Sequence, residues 1–228
     1  MNLGRQLARA WSYTQPGGGK FRRIMVMGAW GAMKVEERLR DFYYERRGLH
    51  TLGRDWDLHG AGTALNGYVP TPWHPLREIF RSWPMTSDDV LLDYGCGKGR
   101  TTTWAAANFR FRRVIGIELD QQLHKVAQEN LARWNGLLLC SDVELICEDA
   151  THFDVPDDVT VIFFGNPFTG DVFEKVADKI QASLIRNPRQ LVILYYHPLM
   201  HDSLVKAGFT VEREQLNRPY EWKIYRGR

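Results

Sequence analysis

The sequence has little cysteine: Cys96, Cys140 and Cys147 in 228 residues, an odd number with no CxxC pair. A disulfide scaffold needs more and a structural zinc site needs closer spacing, so a reducing, cytoplasmic setting and no metal are expected. Long apolar runs are missing too. No stretch reaches the ~18–20 apolar residues that cross a bilayer, which predicts no transmembrane segment. Acidic residues are absent before Glu36, whereas Arg5, Arg9, Lys20, Arg22, Arg23 and Lys34 all fall in that segment. Residues 1–47 hold ten Lys/Arg against four Asp/Glu, and the remainder holds 20 against 23. The small net charge of +3 is therefore the sum of a basic first part and a slightly acidic body. A basic arm of this kind suits a nucleic acid, an acidic protein or a membrane surface, and equally a solvated helix. An organelle import segment is disfavoured, because serine is nearly absent and the apolar run Ile24 to Met33 leads into charged helix rather than a small-residue cleavage site.

What is present is the composition of an ordinary folded domain, with 44% hydrophobic, 12% aromatic and 25% charged residues. The length fits one domain with an appendage. Pro16 and the three glycines that follow it predict a break between Gln15 and Lys20, separating a short tail from the rest. Val35, Leu39, Phe42 and Tyr43 recur at helical spacing among charges, which predicts one amphipathic helix ending near Gly48. Residues 48–75 are rich in Gly, His, Trp and Pro without a period and read as a functional loop or lid. A short helix is expected from Leu76 to Trp83, stopped by Pro84.

From Asp88 onward β-rich runs alternate with helix-length segments. The expected strands are Val90–Tyr94, Val114–Leu119, Val143–Glu148, Val159–Phe164, Leu191–Tyr196, Phe209–Glu212 and Trp222–Tyr225. Helices fit at Arg100–Asn108, Gln121–Trp134, Asp171–Ile185 and Leu199–Ala207. This alternation predicts an α/β fold with a mainly parallel sheet, helices on both faces and the last two strands as an antiparallel hairpin at one edge. The division expected is a basic extension over 1–64 and the α/β domain over 65–228.

Ligands of such sheets bind beyond the carboxyl ends of the strands. The first strand runs into Asp93-Tyr-Gly95-Cys96-Gly97-Lys98-Gly99-Arg100. Glycines there let the main chain turn tightly and press on a ligand, with N–H groups at the helix start free to meet it. The dinucleotide pattern GxGxxG would need glycine at 100 or 102, where the sequence has Arg100 and Thr102, so a nicotinamide enzyme is disfavoured. Lys98 and Arg100 oppose the helix dipole, so either an anion compensates them or solvent does. Glu118 falls at the tip of the second strand, 19 residues after Gly99. Asp149 and Ala150 follow the third strand, Asn166-Pro167-Phe168 the fourth, and Tyr196-His197 closes the fifth.

Taken together, Asp93-x-Gly95-x-Gly97-x-Gly99, Glu118 and Asp149 resemble, in order and spacing, the class I S-adenosylmethionine-dependent methyltransferases, which have a seven-stranded Rossmann-like sheet. The resemblance covers about residues 65–228 and implies S-adenosylmethionine as cofactor and S-adenosylhomocysteine as product. It implies that Asp93, Gly95, Cys96, Gly97 and Gly99 line the cofactor, Glu118 accepts both ribose hydroxyls, and Asp149 with Ala150 reads the adenine amino group. Asn166-Pro167-Phe168 resembles, less one proline, the Asn/Asp-Pro-Pro-aromatic motif of methyltransferases acting on amino or amide nitrogen. There Asn166 and the next carbonyl accept from the acceptor NH, and Phe168 stacks on it. That favours nitrogen of a protein, peptide or small amine as acceptor. O-methylation with His197 or Tyr196 is the alternative, and a non-catalytic cofactor-binding subunit holding RNA or protein through its basic arm is another. Tyr68 and Thr71, just before the core, are placed near the methionine end, with His74 as a weaker base candidate.

Overall fold

The computed structural model describes residues 20–53, 67–216 and 220–227, with side chains described from residue 31 onward. Its elements are α1 (Lys20–Glu45), α2 (Trp73–Arg81), β1 (Val90–Tyr94), α3 (Arg100–Asn108), β2 (Arg113–Glu118), α4 (Gln121–Arg133), β3 (Val143–Cys147), β4 (Val161–Phe164), α5 (Gly170–Arg186), β5 (Leu191–Tyr196), α6 (His201–Lys206), β6 (Thr210–Gln215) and β7 (Trp222–Gly227). The expected tail before Lys20 lies outside the described residues, as do 54–66 of the expected lid.

The sheet has the order β3-β2-β1-β4-β5-β7-β6. The first five strands are parallel, and β7 is antiparallel to both β5 and β6. The chain builds outward from β1 through β2 to β3, then returns to the other side of β1 for β4 and β5. The reversal leaves a crevice above the carboxyl ends of β1 and β4. The terminal hairpin forms one edge as expected, with its later strand inside. The outer β6 carries Glu212, Arg213 and Glu214 and an irregular register between Val211 and Arg213, features that blunt an exposed edge.

Central strands are apolar on both faces because helices cover both. On one face Leu92, Tyr94, Ile162, Phe164, Ile193 and Tyr195 pack against α5, chiefly Phe173, Val176 and Ile180. On the other, Leu91, Val161, Phe163, Val192 and Leu194 meet α2 and α3 through Leu76, Ile79, Phe80 and Trp104.

Two helices depart furthest from expectation. The helix ending near Gly48 begins at Lys20, so the Ile24–Met33 run belongs to it. It stops where expected: Gly48 has φ +92, the left-handed geometry suited to glycine after a helix, and Leu49 is buried just beyond. The helix expected from Leu76 begins instead at Trp73, for a reason outside its own sequence. Its N-cap is Pro72, which has no capping side chain. The carboxylate of Glu37 on α1 caps it, accepting the Trp73 N–H at 2.8 Å and the His74 N–H at 2.7 Å. Pro75 has no N–H to satisfy and Leu76 donates to Pro72 O, so every amide of that first turn is accounted for.

Candidate active site

The glycine loop after β1 is shaped by what surrounds it. Gly95, Gly97 and Gly99 all have positive φ, at 68°, 58° and 77°. A Cβ on Gly95 would overlap Pro167, and one on Gly97 would lie 2.6 Å from the Tyr68 ring. The first contact joins the β1 loop to the β4 loop across the crevice, and the second lays the strap before α2 over the glycines. The expectation of free N–H groups is corrected here in part. Cys96 N–H donates to Ile117 O at 2.9 Å, Gly99 N–H to Cys96 O at 2.9 Å, and Gly97 N–H to Glu118 Oε2 at 2.8 Å. Those amides hold the loop in shape.

Glu118 is buried at the tip of β2, and its other oxygen accepts the Asp120 N–H at 2.9 Å, which fixes the plane of the carboxylate. Asp149 lies beyond β3, one strand further out. Its Oδ1 accepts from Thr151 N and Oγ1, both at 2.8 Å. Its pKa is lowered: partial burial works against ionisation, but the Thr151 donors outweigh it. Ala150 is buried beside it. Two oriented carboxylates on adjacent strands beside a glycine-rich loop fit an adenosine: one offers paired acceptors to a diol, the other an acceptor to an exocyclic amine. Asp93 is entirely buried below the loop and accepts the Thr102 hydroxyl at 2.7 Å. Burial raises its carboxyl to about 7, and the negative Glu118 pushes the same way. The Cys96 thiol is likewise raised by burial and holds no exposed position for chemistry.

Above β4 and β5 the backbone is strained. Asn166 (φ 62) and His197 (φ 54) are the two non-glycine residues with positive φ among the described residues, and they close adjacent strands. Such conformations cost of order 1–3 kcal/mol and gather at functional sites. The Asn166 Oδ1 lies 3.5 Å from the Tyr195 hydroxyl, and Thr71 Oγ1 lies 2.9 Å from where a Gly165 Cβ would sit. His197 N–H donates to Glu221 O at 2.8 Å, and its ring stands 6.3 Å from that of Tyr196. Thus Asn166, Pro167, Thr71 and the glycine loop meet at the crevice, with His197 at the next strand end.

For Phe168 and His74 the expected roles are not supported by where the side chains lie. Phe168 is 4% exposed, and its ring packs at 6.0–6.3 Å from Tyr94, Phe164 and Phe173. With one proline fewer, the aromatic residue falls in register with the core, so it anchors the loop rather than facing an acceptor. Tyr68 directs its hydroxyl to Thr51 O at 2.7 Å and contributes its ring face. His74 is held on α2 between Glu36, at 3.3 Å, and Glu78, at 3.8 Å, away from the crevice.

Of the charges at the start of α3, that of Arg100 is met by a carboxylate of the chain itself. Lys98 Nζ donates to Leu52 O at 2.9 Å and lies 4.7 Å from the Tyr68 ring centre. Arg100 is 5% exposed; it pairs with Asp41 of α1 at 2.9 Å, donates to Thr51 Oγ1 at 2.8 Å and stacks 4.3 Å over Trp73. Asp41 also accepts from the Trp73 indole at 2.8 Å. Buried Asn130 completes the wall, clasping His50 N–H and C=O and the Lys98 carbonyl at 3.0, 3.1 and 2.8 Å. Sequence reasoning missed Glu37, Asp41 and Asn130. The available signals were an acidic pair at i, i+4 in an otherwise basic segment and an asparagine on the apolar face of α4.

The family described as methyltransferase domain matches residues 91–186. A protein-lysine N-methyltransferase of Saccharolobus islandicus is 33% identical over 70 residues, which cover 31% of this chain and 43% of that protein. A ribosomal protein L11 methyltransferase of Thiobacillus denitrificans is 25% identical over 147 residues, covering 62% of this chain and 40% of that one. The chain thus spans about two fifths of the length of these relatives. Among solved structures, a precorrin-6y C5,15-methyltransferase of Geobacter metallireducens superposes with a TM-score of 0.55 at 17% identity, covering 73% of this chain and 94% of its own.

Proposed function

We propose, from the premise that the chain carries a methyltransferase domain with the Rossmann-like fold of the class I S-adenosylmethionine-dependent enzymes, that its methyl acceptor is a nitrogen, in a protein or peptide side chain or a small amine. Bound in the crevice, the cofactor supplies an electrophilic sulfonium methyl. Glu118 would hold the ribose hydroxyls, Asp149 and Ala150 the adenine edge, and the loop Asp93 to Gly99 the rest, with the Tyr68 ring and Thr71 closing it from above.

The observation that carries the acceptor assignment is the packing of Pro167 on Gly95, which brings left-handed Asn166 beside the cofactor loop. An amide oxygen fixed there accepts from an acceptor NH and turns the nitrogen lone pair toward the methyl. Its contribution is orientation and exclusion of water more than proton transfer. The names of the relatives, both acting on proteins, favour a protein acceptor.

The test is Asn166→Ala, compared with wild type by calorimetric titration of S-adenosylhomocysteine and by labelled-methyl transfer to lysine-containing peptides and small amines. Retained binding with transfer lowered by about 100-fold or more supports the reading, the size expected when a positioning contact is lost. Undiminished transfer would move the acceptor elsewhere. A second reading rests on His197, the other strained residue: it would serve as general base for an oxygen acceptor. Loss of transfer to a hydroxyl acceptor in His197→Ala, with Asn166→Ala unaffected, selects that reading. If wild type binds cofactor but transfers methyl to none of these acceptors, a non-catalytic binding subunit is the better description.

A further inference from the structure

Helix α1 has two faces that do opposite work. One is turned to the domain: Glu37, Asp41 and Tyr44 cap α2, pair with Arg100 and stack on Trp73 at 4.2 Å. Glu36, beside them, binds Arg77 at 2.7 Å and Arg40 at 2.8 Å. The opposite face is open and apolar, with Val35 57%, Leu39 64%, Phe42 60% and Tyr43 49% exposed, at the i, i+4, i+7, i+8 spacing of one stripe.

The exposed charges of this helix are of one sign. Between residues 31 and 46 the exposed charged residues are Lys34, Arg38 and Arg46, all cationic, whereas Glu36, Glu37, Arg40, Asp41 and Glu45 are partly buried. Arg46 and Arg47 lie over the Phe42 and Tyr43 rings at 5.3 and 4.5 Å, so cation and apolar surface are interleaved. The same helix begins with Lys20, Arg22 and Arg23 and runs through the Ile24–Met33 apolar segment.

We infer that this outward face of α1 lies on an anionic lipid surface, with the apolar stripe entering the headgroup boundary and the cations meeting the phosphates. A nucleic acid would satisfy the cations but leave four large apolar side chains facing water. A second copy of the same face would bury the apolar stripe but bring like charges together. A lipid surface carrying negative headgroups answers both features at once. The inference does not depend on which nucleophile accepts the methyl.

The experiment is co-sedimentation of the full chain with vesicles of phosphatidylcholine alone and of phosphatidylcholine mixed equally with phosphatidylglycerol, at low and high salt. The expected result is pelleting with the mixed vesicles only, weakened by salt. The double variant Leu39→Ser/Phe42→Ser should bind mixed vesicles about tenfold or more less tightly, because the apolar contribution is lost. Its S-adenosylhomocysteine affinity and melting temperature should stay at wild-type values, since both side chains are largely exposed. Arg38→Glu/Arg46→Glu should abolish the salt-sensitive part. The inference fails if the full chain stays in the supernatant with mixed vesicles up to millimolar lipid. It also fails if light scattering shows a wild-type dimer that either double variant dissociates, or if an RNA oligonucleotide displaces the protein from vesicles and binds both double variants as well as wild type.

Discussion

Asp93 shows how much of the site is set by burial of one group. An unfolded aspartate ionises near 4, whereas in the fold it is held protonated up to about 7, with burial the dominant cause and the Glu118 charge adding to it. Between those values the folded chain binds more protons than the unfolded one, so stability falls as pH rises from about 4 to about 7 and is constant beyond. The loss is on the order of 4 kcal/mol. Asp93→Asn should flatten this limb of a plot of unfolding free energy against pH, and a wild-type curve with no slope there would contradict the assignment. Gly97 gives a second prediction. With φ +58 and the Tyr68 ring where a Cβ would project, Gly97→Ala must displace the ring or the loop. Calorimetry should show S-adenosylhomocysteine affinity reduced by about tenfold or more, while Gly170→Ala, strained at φ +58 but with open space around it, leaves affinity unchanged.

At the scale of elements, the decisive contact is a cap supplied across space. Glu37 meets the first two amides of α2 with both its oxygens, at the positive end of that helix dipole. Burial raises its pKa against the pull of these amides. Glu37→Gln keeps one acceptor oxygen and should cost about 1 kcal/mol, whereas Glu37→Ala should cost about 2 kcal/mol in urea denaturation. Asp41→Ala is more severe, because it strands a buried guanidinium: about 3 kcal/mol is expected. The same elements show where sequence reading stops. The ends of α3 and β5 were legible to the residue, since apolar runs, glycines and chain punctuation are local. The start of α2 was not, because nothing within Pro72-Trp73-His74-Pro75 announces a helix and its cap comes from a residue 36 positions earlier.

For the whole molecule, α1 and the segment through Leu52 are bound to the α/β part: they supply the anion for Arg100, the cap of α2 and acceptors for Lys98 and Tyr68. A chain lacking residues 1–47 should therefore melt at least about 10 °C lower, given ~2–4 °C per kcal/mol at this size, and should bind S-adenosylhomocysteine more weakly. An unchanged melting curve would show that the α/β part is self-sufficient.

Sequence alone determined the α/β class, five of the strand positions almost to the residue, the glycine loop and the succession Asp93, Glu118, Asp149, Asn166. These are carried by periodicity and by backbone conformations that particular residues permit, and both act over a few positions. Tertiary structure decided that Phe168 is a core residue, that His74 is tied to α1, that Arg100 has an anion of its own, and that Gly95 touches Pro167. Each of these depends on which side chain occupies a given volume once β1 and β4 lie side by side, and distance along the chain does not encode that.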